Sequence, residues 1–232
     1  MKEYKTITLT EEAGIATVHL QWQDASRLDR GLLWDLIQLM DYLEDESKCN
    51  LIVFRGLSVG QPIAWRSPPD FDDCSKWEKF LRRVERFAGA SIACIDGLCT
   101  RFHFQLALAC DYRVATTRST FQMPEIKEGF LPGMGVFRLA KYAGRGAARR
   151  LLFAGAGLSA AEAAALGFVD GQCEAGTFEK AIEESQQALM PIYPEALLNA
   201  RRLLDESFAT SYEDAIGHFL AVQNLCLSKL TE

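Results

Sequence analysis

The sequence lacks the features that identify nucleotide-binding, metal-binding and membrane-spanning proteins. It has no G-x-x-x-x-G-K-S/T loop and no strand-linked G-x-G-x-x-G, so a phosphate-cradling nucleotide enzyme is not predicted. Its seven cysteines include no C-x-x-C pair, which argues against a zinc ribbon and a thioredoxin motif. No metal site is predicted, and because no apolar run approaches about 18 residues, no membrane span is predicted either.

The charge pattern is also unlike that of a nucleic-acid-binding protein. The net charge is −6, and basic pairs such as Arg82–Arg83 are isolated rather than gathered into a stripe. The first residues lack the apolar core of a signal peptide, and several cysteines lie in apolar runs, where they behave as small buried hydrophobes. We therefore expect a cytoplasmic protein with reduced cysteines and no nucleic-acid or membrane partner.

Hydrophobic periodicity indicates an α/β protein. Short apolar or alternating runs predict strands at residues 6–9, 15–20, 51–54, 91–95 and 111–115. Apolar residues at helical spacing predict helices at residues 31–43 and 76–87, and a buried helix at 104–109. Because strand, helix and strand repeat in that order, the strands are expected to pair in parallel. The glycines and prolines between residues 55 and 73 predict a long loop.

The second half of the chain is predicted to be mainly helical. Ser159 and Glu162 have the spacing of a capping box, and Thr210 and Glu213 form a second candidate. Prolines separate the first two of three helices expected between residues 178 and 230. No linker divides the chain, so we expect an α/β core at residues 1–175 with a helical region at residues 176–232.

The run from residue 91 to residue 170 contains motifs of a known family in order. They are I-D-G at 95–97, L-A-L-A-C-D at 106–111, F-Q-M-P-E-I at 121–126, L-P-G-M-G at 131–135 and L-S-A-A-E-A at 158–163. This run resembles the crotonase (enoyl-CoA hydratase/isomerase) superfamily. The resemblance implies a spiral of ββα units with a helical C-terminal trimerisation region, a homotrimer or hexamer, and an acyl thioester substrate. It implies no separate cofactor, since the substrate itself carries CoA or phosphopantetheine.

The resemblance also implies an oxyanion hole made of two backbone N–H groups that hold the thioester carbonyl as it becomes enolate-like. One donor matches Phe102. The stretch expected to supply the other lacks the family's A-G-A-D pattern, and Ala64 is our assignment there. Trp65 in the same stretch and Gly133 of the P-G-x-G turn are the candidates for substrate contact. For Trp65, as for Trp77, packing is the alternative interpretation.

The matched acid–base positions depart from those of a hydratase. Glu125 matches the second glutamate of the family, but Gln105 stands at the position of the first, and glutamine neither takes nor gives a proton at neutral pH. Arg101, Phe102 and His103 replace three glycines that allow close backbone approach. His103 is a further acid–base candidate, because histidine titrates near neutral pH, with a packed imidazole as the alternative.

Two functions remain open from these residues. The first is a one-carboxylate enzyme that isomerises, dehydrates or decarboxylates an acyl thioester through an enolate, with Glu125 moving the proton. Its substrate is bound to CoA or to an acyl carrier protein. Residues 77–86 also have a weaker likeness to crotonase-like proteins of specialised polyketide pathways, some of which are accessory subunits. The second function is a non-catalytic scaffold or accessory subunit of a biosynthetic synthase. The lost glycine loop, the missing A-G-A-D pattern and the loss of one carboxylate favour it.

Overall fold

The computed structural model describes residues 4–22, 28–60 and 69–229, which form a mixed α/β fold. The strands are β1 (Ile7–Glu12), β2 (Ile15–Leu20), β3 (Leu51–Arg55), β4 (Ala90–Ile95), β5 (Leu98–Thr100), β6 (Tyr112–Thr116), β7 (Thr120–Gln122), β8 (Leu158–Ser159) and β9 (Gly171–Cys173). The helices are α1 (Arg30–Asp45), α2 (Phe71–Arg86), α3 (Phe102–Ala109), α4 (Gly135–Ala154), α5 (Ala160–Ala165), α6 (Phe178–Leu189), α7 (Pro194–Glu206) and α8 (Tyr212–Lys229).

A six-stranded sheet forms the centre of the fold. Its order is β1-β2-β3-β4-β6-β9, and a second sheet has the order β5-β7-β8. In the larger sheet β1 and β2 pair antiparallel and all later pairs are parallel. Strands β3 and β4 are almost continuously apolar because both of their faces are covered. The predicted α/β class and parallel pairing are therefore confirmed.

One glycine at the start of β4 lets two chain segments come unusually close. A Cβ atom on Gly89 would lie 2.0 Å from the carbonyl oxygen of Asn50, and the same oxygen accepts a hydrogen bond from the Ala90 N–H at 2.9 Å. Any larger residue at position 89 would push β4 away from the end that precedes β3. The contact sets the alignment of the two central strands at this end of the sheet.

Helix α2 begins at Phe71, five residues before the predicted start at residue 76. Asp70 is the N-cap, and its side chain accepts a hydrogen bond from the Asp72 N–H at 2.9 Å. Asp72 and Asp73 lie in the first turn, where the helix dipole favours negative charge. The prediction missed this turn because Asp72, Asp73 and Ser75 give it a polar pattern. Residues 70–73 of the predicted loop thus form the cap and first turn of α2, and residues 61–68 lie outside the described residues.

The C-terminal half has the three predicted helices, α6, α7 and α8. The capping box of Ser159 and Glu162 is confirmed. The second predicted box is wrong by one residue: Ser211 accepts from the Asp214 N–H at 3.2 Å, because α8 begins at Tyr212 rather than at residue 211. The division of the chain at residues 175 and 176 stays a prediction. None of the helices in the described ranges is both long and apolar enough to cross a bilayer.

Candidate active site

The site is built around α3, a short helix whose eight residues are all buried. Its N-cap is Arg101, which has φ 57° and ψ −127°, a conformation that L-residues with side chains rarely adopt. The resemblance places a glycine here, and the chain keeps the glycine-like backbone although the residue is an arginine. Arg101 is only 3% exposed, and its side chain forms an ion pair with Glu128. This pair gives the buried guanidinium a charged partner.

The Phe102 ring is packed inside the protein. It stacks on Trp22 with ring centroids 5.8 Å apart and meets Trp77 edge-on at 5.4 Å. The Phe102 backbone N–H belongs to the first residue of α3, at the end of the helix that favours negative charge. Phe102 therefore fills space that a glycine would leave open, and its assignment as an oxyanion donor stays a prediction.

His103 belongs to the same aromatic cluster. It is fully buried, and its ring meets Trp22 edge-on with centroids 4.6 Å apart. Burial lowers the pKa of His103 to about 4. A backbone contact with Trp22 opposes this shift only weakly, since neither ring nitrogen has a hydrogen bond of good geometry to a described residue. The imidazole is neutral at pH 7, which favours the packing interpretation over acid–base chemistry.

Glu125 is the most perturbed acid of the site. It follows Pro124 and opens a single 3₁₀ turn that ends at Glu128. The side chain is 1% exposed, and this burial raises the pKa of Glu125 to about 7, against smaller opposing effects of its own backbone, of Arg101 and of Gln105. Within the described part of the chain, Oε2 of Glu125 has no hydrogen-bond partner. The group is therefore able both to take and to give a proton near neutral pH.

Gln105 connects Glu125 to α2. Its side-chain Nε2 donates to Oε1 of Glu125 at 3.4 Å, and its Oε1 accepts from the indole Nε1 of Trp77 at 2.9 Å. Because the indole nitrogen only donates, it sets which end of the amide faces the carboxyl group. The sequence leaves ligand stacking and packing open for Trp77. In the structure its side chain is buried, and its indole N–H orients the amide of Gln105. The amphipathic pattern of α2 marked it as buried without showing what it contacts.

Gly133 borders the same network. It has φ +48°, and a Cβ atom there would lie 2.1 Å from Oε1 of Glu78 and 3.3 Å from Oε1 of Gln105. Glu78 accepts hydrogen bonds from the Met134 N–H at 2.8 Å and from Nη1 of Arg138 at 3.2 Å. Sequence reasoning missed Glu78, because the family motifs that carry the site residues lie between residues 91 and 170 and do not reach α2. Gly133 therefore lies beside Gln105 and Glu78, and its contact with substrate stays a prediction.

One cavity borders the site at Glu78 and Met134, and a second lies beside β5 and β7. A groove of about 1370 Å³ runs between α2, α4 and α7, with Glu78 and Met134 on its wall. A smaller, polar cavity of about 560 Å³ is lined by residues that include Gly97, Arg118 and Gln122. Two further predicted site residues, Ala64 and Trp65, lie outside the described residues. Over the ranges that the structure describes, no cluster of three or more His, Cys, Asp or Glu side chains has a metal-binding arrangement.

Comparison with known proteins identifies the family. The enoyl-CoA hydratase/isomerase family model matches residues 10–230, so the chain belongs to that family. An enoyl-CoA hydratase of Amycolatopsis orientalis is 28% identical over 211 residues, which are 90% of this chain and 95% of that protein. The enoyl-CoA isomerase/hydratase fer4 of Mycosarcoma maydis is 34% identical over 223 residues, 88% of this chain and 80% of that protein.

Solved structures agree at the level of the fold. The crystal structure of an enoyl-CoA hydratase of Mycobacterium smegmatis superposes with a TM-score of 0.84 over 96% of this chain and 91% of that chain. The two sequences are 19% identical. The predicted crotonase-like fold is confirmed, and its low identity to these proteins fits a divergent member of the family.

Proposed function

We propose that the protein moves a proton along the acyl chain of a thioester, with Glu125 as the group that takes and returns it. Glu125 removes a proton from the carbon next to the carbonyl of a 3-enoyl thioester, and the electrons of the C–H bond move toward the thioester oxygen. The same carboxyl group then returns the proton to C4, which leaves the 2-enoyl thioester. The observation that supports this proposal most directly is the buried carboxyl group of Glu125. Its pKa is about 7, and one of its oxygens has no hydrogen-bond partner among the described residues.

The other parts of the proposal concern substrate binding. The backbone N–H groups of Phe102 and Ala64 hold the thioester oxygen while it carries the enolate charge, and Trp65 and Gly133 contact the acyl chain. The thioester is attached to CoA or to an acyl carrier protein. Dehydration and decarboxylation pass through the same enolate, so they are compatible with this arrangement.

Two broader properties belong to the same proposal. A homotrimer or hexamer is supported by apolar side chains that α8 leaves exposed, namely Ile216, Phe219, Leu220, Leu225 and Leu227. A cytoplasmic protein is supported by the cysteines, since all seven are free of disulfides.

The test uses a matched pair of variants. Glu125→Gln removes the proton-carrying group, and Glu183→Gln makes the same change on the exposed surface of α6. The wild type and both variants are incubated in D₂O with 3-hexenoyl and crotonyl thioesters, on CoA and on a carrier protein. Isomer content and deuterium uptake are followed by mass spectrometry.

We expect Glu125→Gln to lower isomerisation and exchange by about 1,000-fold, within the range of general acid–base catalysis, and Glu183→Gln to retain both. Equal rates in the wild type and Glu125→Gln would contradict the proposal. So would a wild type that turns over no thioester but accelerates a synthase with which it copurifies, which is the result expected of an accessory subunit.

A further inference from the structure

We propose that Glu78 on α2 is a second catalytic carboxylate, which activates water in place of the acid that position 105 lacks. This inference rests on the proposed function of Glu125 and extends it from isomerisation to the addition of water to a 2-enoyl thioester. It assigns a role to a side chain that no family motif in the sequence marks.

Gln105 lies near both Glu78 and Glu125. Oε1 of Glu78 and Oε1 of Gln105 both lie within 3.3 Å of the point where Gly133 would carry a Cβ atom. The other end of the Gln105 amide reaches Oε1 of Glu125 at 3.4 Å. The amide thus separates two carboxyl groups, and only a glycine at position 133 leaves room for the first of them.

The two carboxyl groups lie in different environments, which suits two different roles. Glu125 is 1% exposed and surrounded by protein. The Glu78 side chain is 24% exposed and lies on the wall of the groove between α2, α4 and α7. Solvent therefore reaches Glu78, whereas Glu125 is shielded from it.

The surroundings of Glu78 hold it in place without using up its acceptors. An ionised carboxylate offers about four acceptor positions. The Met134 N–H and Arg138 Nη1 occupy one on each oxygen. These two contacts orient the carboxylate against the start of α4 and leave lone pairs available for a water molecule.

The reaction balances with these two groups. Glu78 takes a proton from water while the water oxygen forms a bond to the β-carbon. The electrons of the C=C bond move toward the thioester oxygen and return as Glu125 gives its proton to the α-carbon. Glu78 then releases a proton to solvent and Glu125 takes one up, so the net change is one water added across the double bond.

The experiment compares Glu78→Gln with Glu85→Gln. Glu85 is on the same helix and contacts Nε of the same arginine, Arg138, at 2.7 Å, so its variant controls for the loss of an ion pair. Hydration of crotonyl-CoA is followed by the loss of conjugated-enoyl absorbance, and isomerisation of 3-hexenoyl-CoA is measured in parallel. We expect Glu78→Gln to lower kcat for hydration by about 100-fold with little change in KM, and Glu85→Gln to stay within about threefold of the wild type.

A rescue variant separates catalysis from structure. In Glu78→Gln/Gln105→Glu a carboxylate returns to α3, and hydration is expected to recover at least about tenfold over Glu78→Gln alone. A wild type that isomerises but does not hydrate would overturn the inference and leave the proposed function intact. Hydration at the wild-type rate in Glu78→Gln, or no recovery in a folded double variant, would also overturn it. A wild type without isomerisation would instead contradict the proposed function.

Discussion

Burial of Glu125 has a cost that stability measurements can detect. Burial raises the pKa of this carboxyl group from its ordinary value of 4.5 to about 7, so the folded protein keeps a proton that the unfolded chain releases between these pH values. The folded state therefore loses stability as the pH rises through this window, and the full cost is present above pH 7. A difference of this size corresponds to about 3 kcal/mol.

Glu125→Gln is expected to remove this pH dependence, because an amide does not ionise. The difference in free energy of unfolding, variant minus wild type, should grow by about 2–3 kcal/mol between about pH 5 and about pH 8. Urea unfolding at a series of pH values measures it, with Glu183→Gln as the control. A difference that stays constant with pH would mean that Glu125 is ionised in the folded protein at neutral pH and has no shifted pKa.

His103 shows how the same burial acts on a base. Burial lowers the pKa of His103 from its ordinary value of 6.5 to about 4. Between these pH values the imidazole is protonated in the unfolded chain and neutral in the folded protein. This group makes the protein less stable as the pH falls, the opposite of the effect of Glu125. The two windows overlap between about pH 4.5 and 6.5, and in that range the opposite effects of the two buried groups largely cancel. The neutral imidazole is better understood as part of the cluster of Trp22 and Phe102 than as a proton carrier.

At the scale of elements, the turn into α3 combines two costs in one residue. Arg101 has positive φ, which costs about 1–2 kcal/mol for a residue with a side chain, and its guanidinium is buried. The ion pair with Glu128 ties α3 to the 3₁₀ turn that begins with Glu125. The same positive charge also acts to lower the pKa of Glu125. Arg101 is therefore both the residue with the strained backbone and a charge that influences the pKa of Glu125.

Glu128→Gln is expected to destabilise the protein by about 3 kcal/mol, because it removes the charged partner of a buried arginine. Adding Arg101→Gly should recover much of this loss, since glycine adopts positive φ readily and takes the buried charge away. Urea unfolding of the two single variants and the double variant gives the coupling energy. If the losses in free energy of unfolding of the two single variants add in the double variant, the Arg101–Glu128 ion pair does not stabilise this turn.

The same elements show what could be predicted from the sequence. The continuous apolar runs of β3 and β4 and the motifs around Gln105 and Glu125 predicted parallel strands and the acid–base region, because these signals are local. Glu78 and Trp77 reach the site only because α2 packs against α3 and α4, and no local pattern encodes that approach. The aromatic packing of His103 was likewise decided by tertiary contacts with Trp22.

At the scale of the whole molecule, Arg201 links helix α7 of the C-terminal region to the α/β core by hydrogen bonds. Arg201 of α7 donates from Nε to Oδ1 of Asp111 at 2.6 Å, and from its other nitrogens to the carbonyl oxygens of Phe87 at 2.6 Å and Gly89 at 2.9 Å. Asp111 in turn accepts from the Ser91 N–H and hydroxyl, each at 2.8 Å. A single planar guanidinium therefore joins α7 to the end of α2 and the beginnings of β4 and β6.

Arg201→Lys is expected to loosen the C-terminal helices without unfolding the core. A lysine keeps the charge but presents a compact ammonium group, which cannot span the carboxylate and both carbonyl groups. Amide hydrogen exchange should become at least about tenfold faster in α7 and α8, equivalent to a local loss of about 1.4 kcal/mol or more, while β3 and β4 stay protected. Arg202→Lys is the matched control. Arg202 is the next residue on α7, its side chain is exposed, and it forms an ion pair with Glu206 one turn away on the same helix. Unchanged amide exchange in α7, or equally faster exchange throughout the sheet, would show that Arg201 does not locally stabilise the contact between α7 and the core.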